Sequence, residues 1–310
     1  MRWVSDVCAP LQRSPVRSIR SVVSGALSHS NSLPAGSSAL APLRDARETA
    51  RLGPYLRDVY RRRRYVAYVA TSEMRSRQMD SVLGNLWHLL NPILQIGVYW
   101  VIFGLVLNTS RGVENFVAFL SIGIFTYQYS QRSAMAGARS VRKNYGLMTI
   151  ISFPRALLPA TSTTVEALAA LPAFGVMFVV ALATGEPVRW TWVLVLPTLA
   201  AFTLFNFGLS MSTARATNDV ADIQQLLPFV FRLGFYASGV LFNVESYVEQ
   251  PKFQALFEVN PLYCFIELNR TFILGGDLSP YVPLSAGLWT VALLLGGFFW
   301  FRAGEDSFGE

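Results

Sequence analysis

The sequence lacks the signatures of the common nucleotide-binding and hydrolytic sites. It contains no GxxxxGK[ST] phosphate loop, no HExxH zinc motif and no GxSxG nucleophile motif, so nothing in it predicts ATP hydrolysis or hydrolase chemistry by the chain itself. Its two histidines, His29 and His88, are far apart and offer no acid–base pair. We therefore expect that this chain is not an enzyme.

Cysteine, lysine and charge in general are also scarce. Neither Cys8 nor Cys264 belongs to a CxxC or Cys/His cluster, which argues against a metal site or a disulfide framework, and no cofactor is expected on this chain. The net charge of +7 comes almost entirely from arginine, because Lys143 and Lys252 are the two lysines. The basic residues gather before the first apolar stretch and between the second and third, as in the cytoplasmic segments of membrane proteins. A nucleic-acid groove would interleave them with exposed aromatics, so no nucleic-acid partner is expected.

Apolar residues, in contrast, are abundant, at 52% of the 310 residues. They form runs of about 20 residues, the length that crosses a bilayer as a helix. The predicted spans are residues 86–107, 116–138, 156–184, 190–214, 226–242 and 281–301. The sequence thus predicts an all-α integral membrane protein with six transmembrane helices and both termini in the cytoplasm.

The chain before the first span divides into two parts. Residues 1–52 are rich in Ser, Arg, Ala and Pro and have no hydrophobic period, which predicts a disordered basic extension; a transit peptide, an over-long start and a cytoplasmic tail remain open. In residues 53–81, apolar side chains recur at helical spacing among arginines. This pattern predicts an amphipathic helix lying along the inner membrane surface, where it contacts membrane lipids, or a solvated charged helix.

Two short helices are predicted between the fifth and sixth spans. One covers residues 251–259, and the other begins at Asn260-Pro261 and ends at Gly275-Gly276. Each is too short to cross the membrane, which favours a re-entrant helical hairpin on the outer side. The six-helix domain is then 82–305, and 306–310 is a cytoplasmic tail.

Three ionisable residues fall within the apolar spans: Glu166, Arg232 and, nearer a cytoplasmic end, Arg132. A lone charge in hydrocarbon costs at least about 2.5–3.5 kcal/mol, so these groups should meet a partner or a wet pathway. Both a structural ion pair and a substrate path remain open.

The spans are also rich in aromatic residues, whose rings can stack on sugar faces without fixing a register; packing and lipid contact are the alternative roles. The candidates for lining a channel are Tyr99, Phe103, Tyr127, Tyr129, Phe235 and Tyr236.

Several motifs, in order, resemble those of one family. They are Arg75, Arg77, Ser81-Val82-Leu83-Gly84, Leu86-Trp87, Leu90-Asn91-Pro92, Phe103-Gly104, Phe153-Pro154-Arg155, Asp219-Val220, Asp222-Ile223 and Asn260-Pro261-Leu262 followed by Arg270. Over about residues 54–305 the chain resembles ABC-2 type permeases that export polysaccharides, including O-antigen and teichoic-acid transporters. Ser238-Gly239 departs from the Ser-Pro of many relatives.

The resemblance implies a homodimer that binds two copies of a separate ATPase subunit, with ATP and Mg on that partner, in the cytoplasmic membrane of a bacterium. The substrate would be a polyprenyl-pyrophosphate-linked glycan whose pyrophosphate meets Arg75 and Arg77, unless these arginines only satisfy the positive-inside rule. The implied contacts with the ATPase subunit are Asn144, Tyr145, Gly146, Leu147, Met148, Ile150, Asp219 and Asp222.

Three alternatives stay open: an ABC-2 exporter of a drug or lipid, an ATP-independent flippase, and a polyprenyl-phosphate sugar transferase. The transferase needs clustered acids to hold a metal-bound sugar phosphate, and the acids of this chain are sparse.

Overall fold

The computed structural model describes residues 52–76, 86–106, 113–146, 154–248 and 250–305. Every regular element within these ranges is helical, which confirms the all-α prediction for them. In chain order the α-helices are α1 Leu52–Arg61, α2 Arg63–Ser76, α3 Leu86–Tyr99, α4 Phe116–Lys143, α5 Leu157–Ala183, α6 Val195–Asp219, α7 Ile223–Ala237, α8 Val244–Tyr247, α9 Pro251–Val259, α10 Pro261–Leu274 and α11 Tyr281–Ala303. A π-helical segment, Trp100–Val106, continues α3, and a 3-10 helix, Trp190–Leu194, precedes α6.

Three of the described helices are long enough and apolar enough to cross a membrane: α5, α11 and the continuous helix Trp190–Asp219 that contains α6. They coincide with the third, fourth and sixth predicted spans. A shorter apolar helix, Ile93–Val106, lies in the first predicted span. The full count of six spans stays a prediction.

Helix α4 is the centre of the bundle, because it packs on α5 and α6 most extensively and also touches α3, α7 and α10. Small residues allow these close approaches. A Cβ atom on Gly137 would lie 2.6 Å from the Cα of Ser210 in α6, so only glycine fits at this crossing. Small residues at helix crossings are the usual basis of packing between membrane helices.

The amphipathic N-terminal segment is two helices rather than the single helix that the sequence predicts. The chain turns at Arg62, whose N–H is shared between the carbonyls of Asp58 and Val59. Tyr55 of α1 packs edge-on against Phe298 of α11, whereas α2 packs on α5. The break thus allows the two halves to contact different helices.

The segment before α11 contains the two predicted short helices, α9 and α10. Asn260 caps α10 by accepting a hydrogen bond from the Leu262 N–H, 3.0 Å away, and Gly275, at φ +87°, ends it. Trp192 donates to the carbonyl of Ile273 in the last turn, 3.1 Å away. Such side-chain donors replace the water that the last carbonyls of a helix would otherwise need. The re-entrant position of this hairpin in the membrane remains a prediction.

Candidate functional site

Five of the six aromatic residues that the sequence selects lie together in one patch. It is built by α3 and its π-helical continuation, α4 and α7. We call it the open aromatic patch, and its members are Tyr99, Phe103, Tyr127, Phe235 and Tyr236. Tyr99 stacks on Phe235 with ring centroids 5.6 Å apart and meets Phe103 edge-on at 6.1 Å. Tyr127 and Tyr236 each meet Phe235 edge-on, at 5.3 and 5.7 Å.

The base of this patch is buried and its rim is open. Tyr127 is 1% exposed and Tyr236 is 51% exposed. The Tyr127 hydroxyl donates to the carbonyl of Phe231 in α7. A Cβ atom on Gly234 would lie 2.6 Å from that hydroxyl, so glycine at this position allows the phenol to lie against α7. The packing fixes the inner rings, while Tyr236 at the rim stays half exposed.

Two amide side chains lie beside the patch. Gln128 of α4 donates to the Gln95 Oε1 of α3, 2.5 Å away, and Gln95 donates to the Tyr99 hydroxyl at 3.2 Å. Rings with adjacent amides offer both stacking and hydrogen bonds to a polyhydroxylated ligand. These glutamines were not predicted from the sequence, although a polar amide at position 95 of an apolar span is itself a signal.

Tyr129, the sixth selected aromatic, lies apart from the patch. Its hydroxyl donates to Thr203 Oγ1 of α6 at 3.0 Å, and its ring meets Phe202 edge-on at 5.3 Å. Phe202 in turn packs on Phe265 of α10, with centroids 4.4 Å apart. All three rings are fully buried. We call Tyr129, Phe202, Phe205 and Phe265 the packed aromatic cluster.

The predicted intramembrane charges occupy two kinds of surroundings. Glu166 of α5 is 5% exposed and interacts electrostatically with the half-buried Arg132 of α4. Arg232, in contrast, lies on an exposed face of α7. It is three and four residues before Phe235 and Tyr236, so it borders the open aromatic patch.

A further charged side chain, Arg270 of α10, is 3% exposed. It was not among the predicted intramembrane charges, because the sequence placed it in the outer hairpin. Its guanidinium donates to the carbonyls of Gly239 and Val240, each 2.9 Å away, and lies 3.4 Å from the centre of the Phe119 ring. Glu267 is 3.8 Å away. Arg270 therefore holds the turn after α7 against α4 and α10. An arginine within an apolar helix was the signal that could have found it.

The described residues predicted to contact an ATPase subunit lie at one end of the bundle. A small hydrophobic cluster joins the ends of α1, α4, α6 and α11 there, and its members are Tyr55, Val141, Ala156, Met211, Ala214 and Phe301. Asn144 ends α4 and donates to the Ser140 carbonyl, while Asp219 ends α6 and pairs with Arg215 at 2.9 Å. Tyr145, Gly146 and Asp222 are exposed.

Several predicted residues lie outside the described part of the chain. They are Arg77, Leu147, Met148 and Ile150. Arg75 belongs to the last turn of α2, but its side chain is also outside the described set.

The same end of the bundle contains a further polar arrangement, which we call the C-terminal clasp: Arg302, Gly304 and Glu305. Glu305 Oε1 accepts hydrogen bonds from the Tyr55 hydroxyl at 3.0 Å and from the Arg155 N–H at 2.7 Å. Burial raises the pKa of the Glu305 carboxyl. Burial also raises the pKa of the Tyr55 phenol, and the charge of Glu305 adds to this shift, so Tyr55 remains a donor at neutral pH.

Long apolar helices packed around α4 define a helical, multi-pass membrane protein. The family model of the ABC-2 type transporter matches residues 65–274. Since this match covers about two thirds of the chain, the protein belongs to the ABC-2 type transporter family, as the motifs predicted.

Curated relatives agree with this assignment. The chain is 27% identical to the O-antigen export system permease protein RfbA of Klebsiella pneumoniae over 212 residues, which are 68% of this chain and 80% of that protein. It is 24% identical to the RfbA permease of Myxococcus xanthus, over 82% of this chain and 98% of that protein. It is also 24% identical to the polysialic acid transport protein KpsM of Escherichia coli, over 76% of this chain and 91% of that protein.

Proposed function

We propose that this protein is the transmembrane subunit of an ABC transporter that exports a polyprenyl-pyrophosphate-linked polysaccharide across the cytoplasmic membrane of a bacterium. A homodimer of the chain would form the pathway, with six spans in each copy and both termini in the cytoplasm. Two copies of a separate subunit would bind ATP and Mg and hydrolyse the ATP. The names of its relatives, O-antigen export and polysialic acid transport proteins, favour a glycan as the substrate.

The observation that carries the proposal is the open aromatic patch with its adjacent amides. A polymer that slides needs contacts that stabilise many positions equally, and aromatic rings meet this need because they stack on the C–H faces of sugars in any register. Gln95, Gln128 and the Tyr99 hydroxyl add hydrogen-bonding groups at the same surface. In the homodimer, the patches of the two copies would line one channel.

The amphipathic segment fits a role in substrate entry. Helix α2 packs on α5 and buries Ala70 completely, while it also carries exposed arginine and tyrosine side chains, including Arg64 and Tyr68. Arginine forks bind phosphate oxygens in pairs. In this proposal Arg75 and Arg77 bind the pyrophosphate of the lipid-linked glycan as it approaches from the inner leaflet.

Coupling to ATP hydrolysis would occur at the end of the bundle where α4 and α6 terminate. Exposed Tyr145, Gly146 and Asp222 offer contact points for the partner subunit on two neighbouring loops. The role of this surface is mechanical, because movement there is transmitted along α4 to the aromatic patch.

Conditional depletion of the protein, followed by mass spectrometry of lipid-linked saccharides from the membrane fraction, tests the proposal. We expect a long polyprenyl-linked polymer to accumulate on the inner side, and the accumulated species would identify the substrate. Re-expression of the wild type should clear it. Unchanged saccharide pools with new drug sensitivity would instead support a small-amphiphile exporter, and loss of the glycan itself would support a sugar transferase.

A further inference from the structure

The C-terminal clasp contacts three segments: helix α1, the loop between α4 and α5, and the end of α6. The proposed function gives these segments separate roles. We propose that Glu305 is a positioning residue for transport, because its carboxylate makes the interfacial helix α1 move together with the loop between α4 and α5. This inference rests on the proposed function, since it concerns how ATP-driven movement reaches the substrate-entry segment.

The contacts of Glu305 join α1 to the residues before α5, which is more than capping the end of one helix. One oxygen, Oε1, accepts both the Tyr55 hydroxyl and the Arg155 backbone N–H, which lie 100 residues apart in the sequence. The Tyr55 hydroxyl also accepts the N–H of Ala156 at 3.3 Å. The two residues just before α5 are therefore connected to α1 both directly and through Glu305.

The Tyr55 ring is held on two further sides by α11. It meets Phe298 edge-on with centroids 6.1 Å apart, and the Arg302 guanidinium lies 5.1 Å from its centre. Tyr55 is 7% exposed, whereas the neighbouring Tyr60 is 66% exposed. The Tyr55 side chain is thus held in place, and helix α2, which follows α1, contains Arg75.

The clasp also reaches the loop between α6 and α7. Arg215 of α6 donates to the Gly304 carbonyl at 2.8 Å and pairs with Asp219, a predicted contact for the ATPase subunit. A Cβ atom on Gly304 would overlap the Arg215 guanidinium. The residues that follow α11 therefore contact the loop between α4 and α5 through Glu305 and the end of α6 through Gly304.

In this proposal, the two coupling loops and helix α1 move together. A displacement of either loop by the ATPase subunit pulls on residues 302–305, and these pull on Tyr55. Without the Glu305 bonds, the hydrogen bond from the Ala156 N–H to the Tyr55 hydroxyl is the polar link that remains between this loop and α1 among the described residues. Helix α1 then follows the loops less closely, so ATP is hydrolysed with less admission of the substrate. Glu305 is not expected to touch the substrate or the nucleotide.

The test uses the full complex with its ATPase subunit, in proteoliposomes supplemented with a lipid extract from the depleted strain, together with surface-glycan export in cells. The variants are Glu305→Ala, which removes the acceptor, Glu305→Gln, which keeps an acceptor oxygen, and Tyr55→Phe, which keeps the ring. Two matched controls are Tyr60→Phe on the exposed side of the same segment and Glu186→Gln, whose carboxylate accepts a bond from Asn115 at the other end of the bundle.

We expect Glu305→Ala and Tyr55→Phe to assemble and to keep their basal ATPase rate, but to lose stimulation by the extract and to export about tenfold less glycan. Glu305→Gln should restore most of the coupling. Combining Tyr55→Phe with Glu305→Ala should add little to either change, because both remove the hydrogen bond between Tyr55 and Glu305.

Wild-type export and stimulation in Tyr55→Phe and Glu305→Ala would overturn the inference. So would export, basal ATPase rate and melting temperature that all fall in proportion, because that result marks a purely structural contact. If Glu305→Ala does not assemble, Tyr55→Phe decides the question alone. Failure of the proposed function is distinguishable, since the wild type would then neither export glycan nor respond to the extract.

Discussion

Tyr127 and Tyr129 are two residues apart in α4, yet they belong to different aromatic environments. Tyr127 lies at the base of the open aromatic patch, where neighbouring rings such as Tyr236 are half exposed. Tyr129 lies in the packed aromatic cluster between α4, α6 and α10, where every ring is covered. A helix turns about 200° over two residues, so two tyrosines at this spacing face opposite sides of α4.

The role of an aromatic residue in a membrane helix therefore depends on the neighbours that pack against it. In the packed cluster the rings fill space and hold α10 on α6. In the open patch the inner rings hold the outer ones, whose free faces can meet a ligand. Mutations in the first environment should therefore act on stability, and mutations at the rim of the second should act on transport.

The largest effect should come from Phe265→Ala in the packed cluster. Phe265 is 1% exposed and contacts both Phe202 and Phe205, so truncation leaves a cavity and should lower the free energy of unfolding by about 3–5 kcal/mol. Thermal unfolding of the purified protein measures this. Phe299→Ala, at a ring that is 52% exposed on α11, is the control and should change stability by about 0.5 kcal/mol or less. Equal effects at both positions would remove the basis of the comparison.

Replacing Tyr99 at the edge of the open patch should reduce transport with little effect on stability. We expect Tyr99→Leu to lower export about tenfold, the equivalent of 1.4 kcal/mol, because the stacking surface is lost. Tyr99→Phe keeps the ring and loses only the bond from Gln95, so it should retain most export. The measurement is surface glycan per cell at matched protein level, and wild-type export by Tyr99→Leu would contradict a ligand-binding role for the patch.

Tyr127→Phe and Tyr129→Phe give a more direct comparison, since each removes one hydroxyl. Tyr127 loses its bond to the Phe231 carbonyl and Tyr129 its bond to Thr203, which should cost about 1 kcal/mol of stability in each case. Export should fall only for Tyr127→Phe, because that bond joins α4 to α7 at the patch. Equal export by the two variants at equal melting temperature would count against this assignment.

The smallest expected effect is on the pH dependence of stability. It concerns Glu305, the titratable group that accepts the hydrogen bond from the Tyr55 hydroxyl. The pKa of Glu305 is raised by burial in the folded protein, so the folded state is favoured when this carboxyl is protonated. The stability that the carboxyl contributes is fully present below its unfolded-state pKa and is lost as the pH rises through its folded-state pKa. We expect the difference in melting temperature between wild type and Glu305→Gln to shift in favour of Glu305→Gln from acid to neutral pH. Arg155 and Arg302 face the same carboxyl and lower its pKa, so they limit the change. A shift in the opposite direction would contradict the pKa assignment.

Much of the fold follows from local pattern. The apolar runs predicted the three helices that meet the length and apolarity of a membrane span, and Asn260-Pro261 and Gly275 marked the ends of α10. The break at Arg62 was not predicted, because it depends on two tertiary contacts, of α1 with α11 and of α2 with α5.

The candidate site was predictable to a lesser degree. Residue type selected the aromatic candidates, because rings in the apolar spans can stack on sugar faces. Which of them share a surface depends on how α3, α4 and α7 are rotated about their axes, and a short sequence motif does not encode that rotation. The links through Arg270 and Glu305 were missed for the same reason, because their partners are backbone groups far away in the sequence.

The class of the protein follows from the sequence alone: a helical membrane chain of the ABC-2 type, with arginines in its amphipathic N-terminal segment and no GxxxxGK[ST] motif. This is possible because hydrophobic length and short motifs are local properties. Only the folded structure shows that Tyr127 lies at the base of an open patch while Tyr129 lies in a covered cluster, and that Glu305 joins α1 to the residues just before α5. These outcomes depend on helix rotation and on contacts between distant segments, which packing fixes only when the whole bundle has formed.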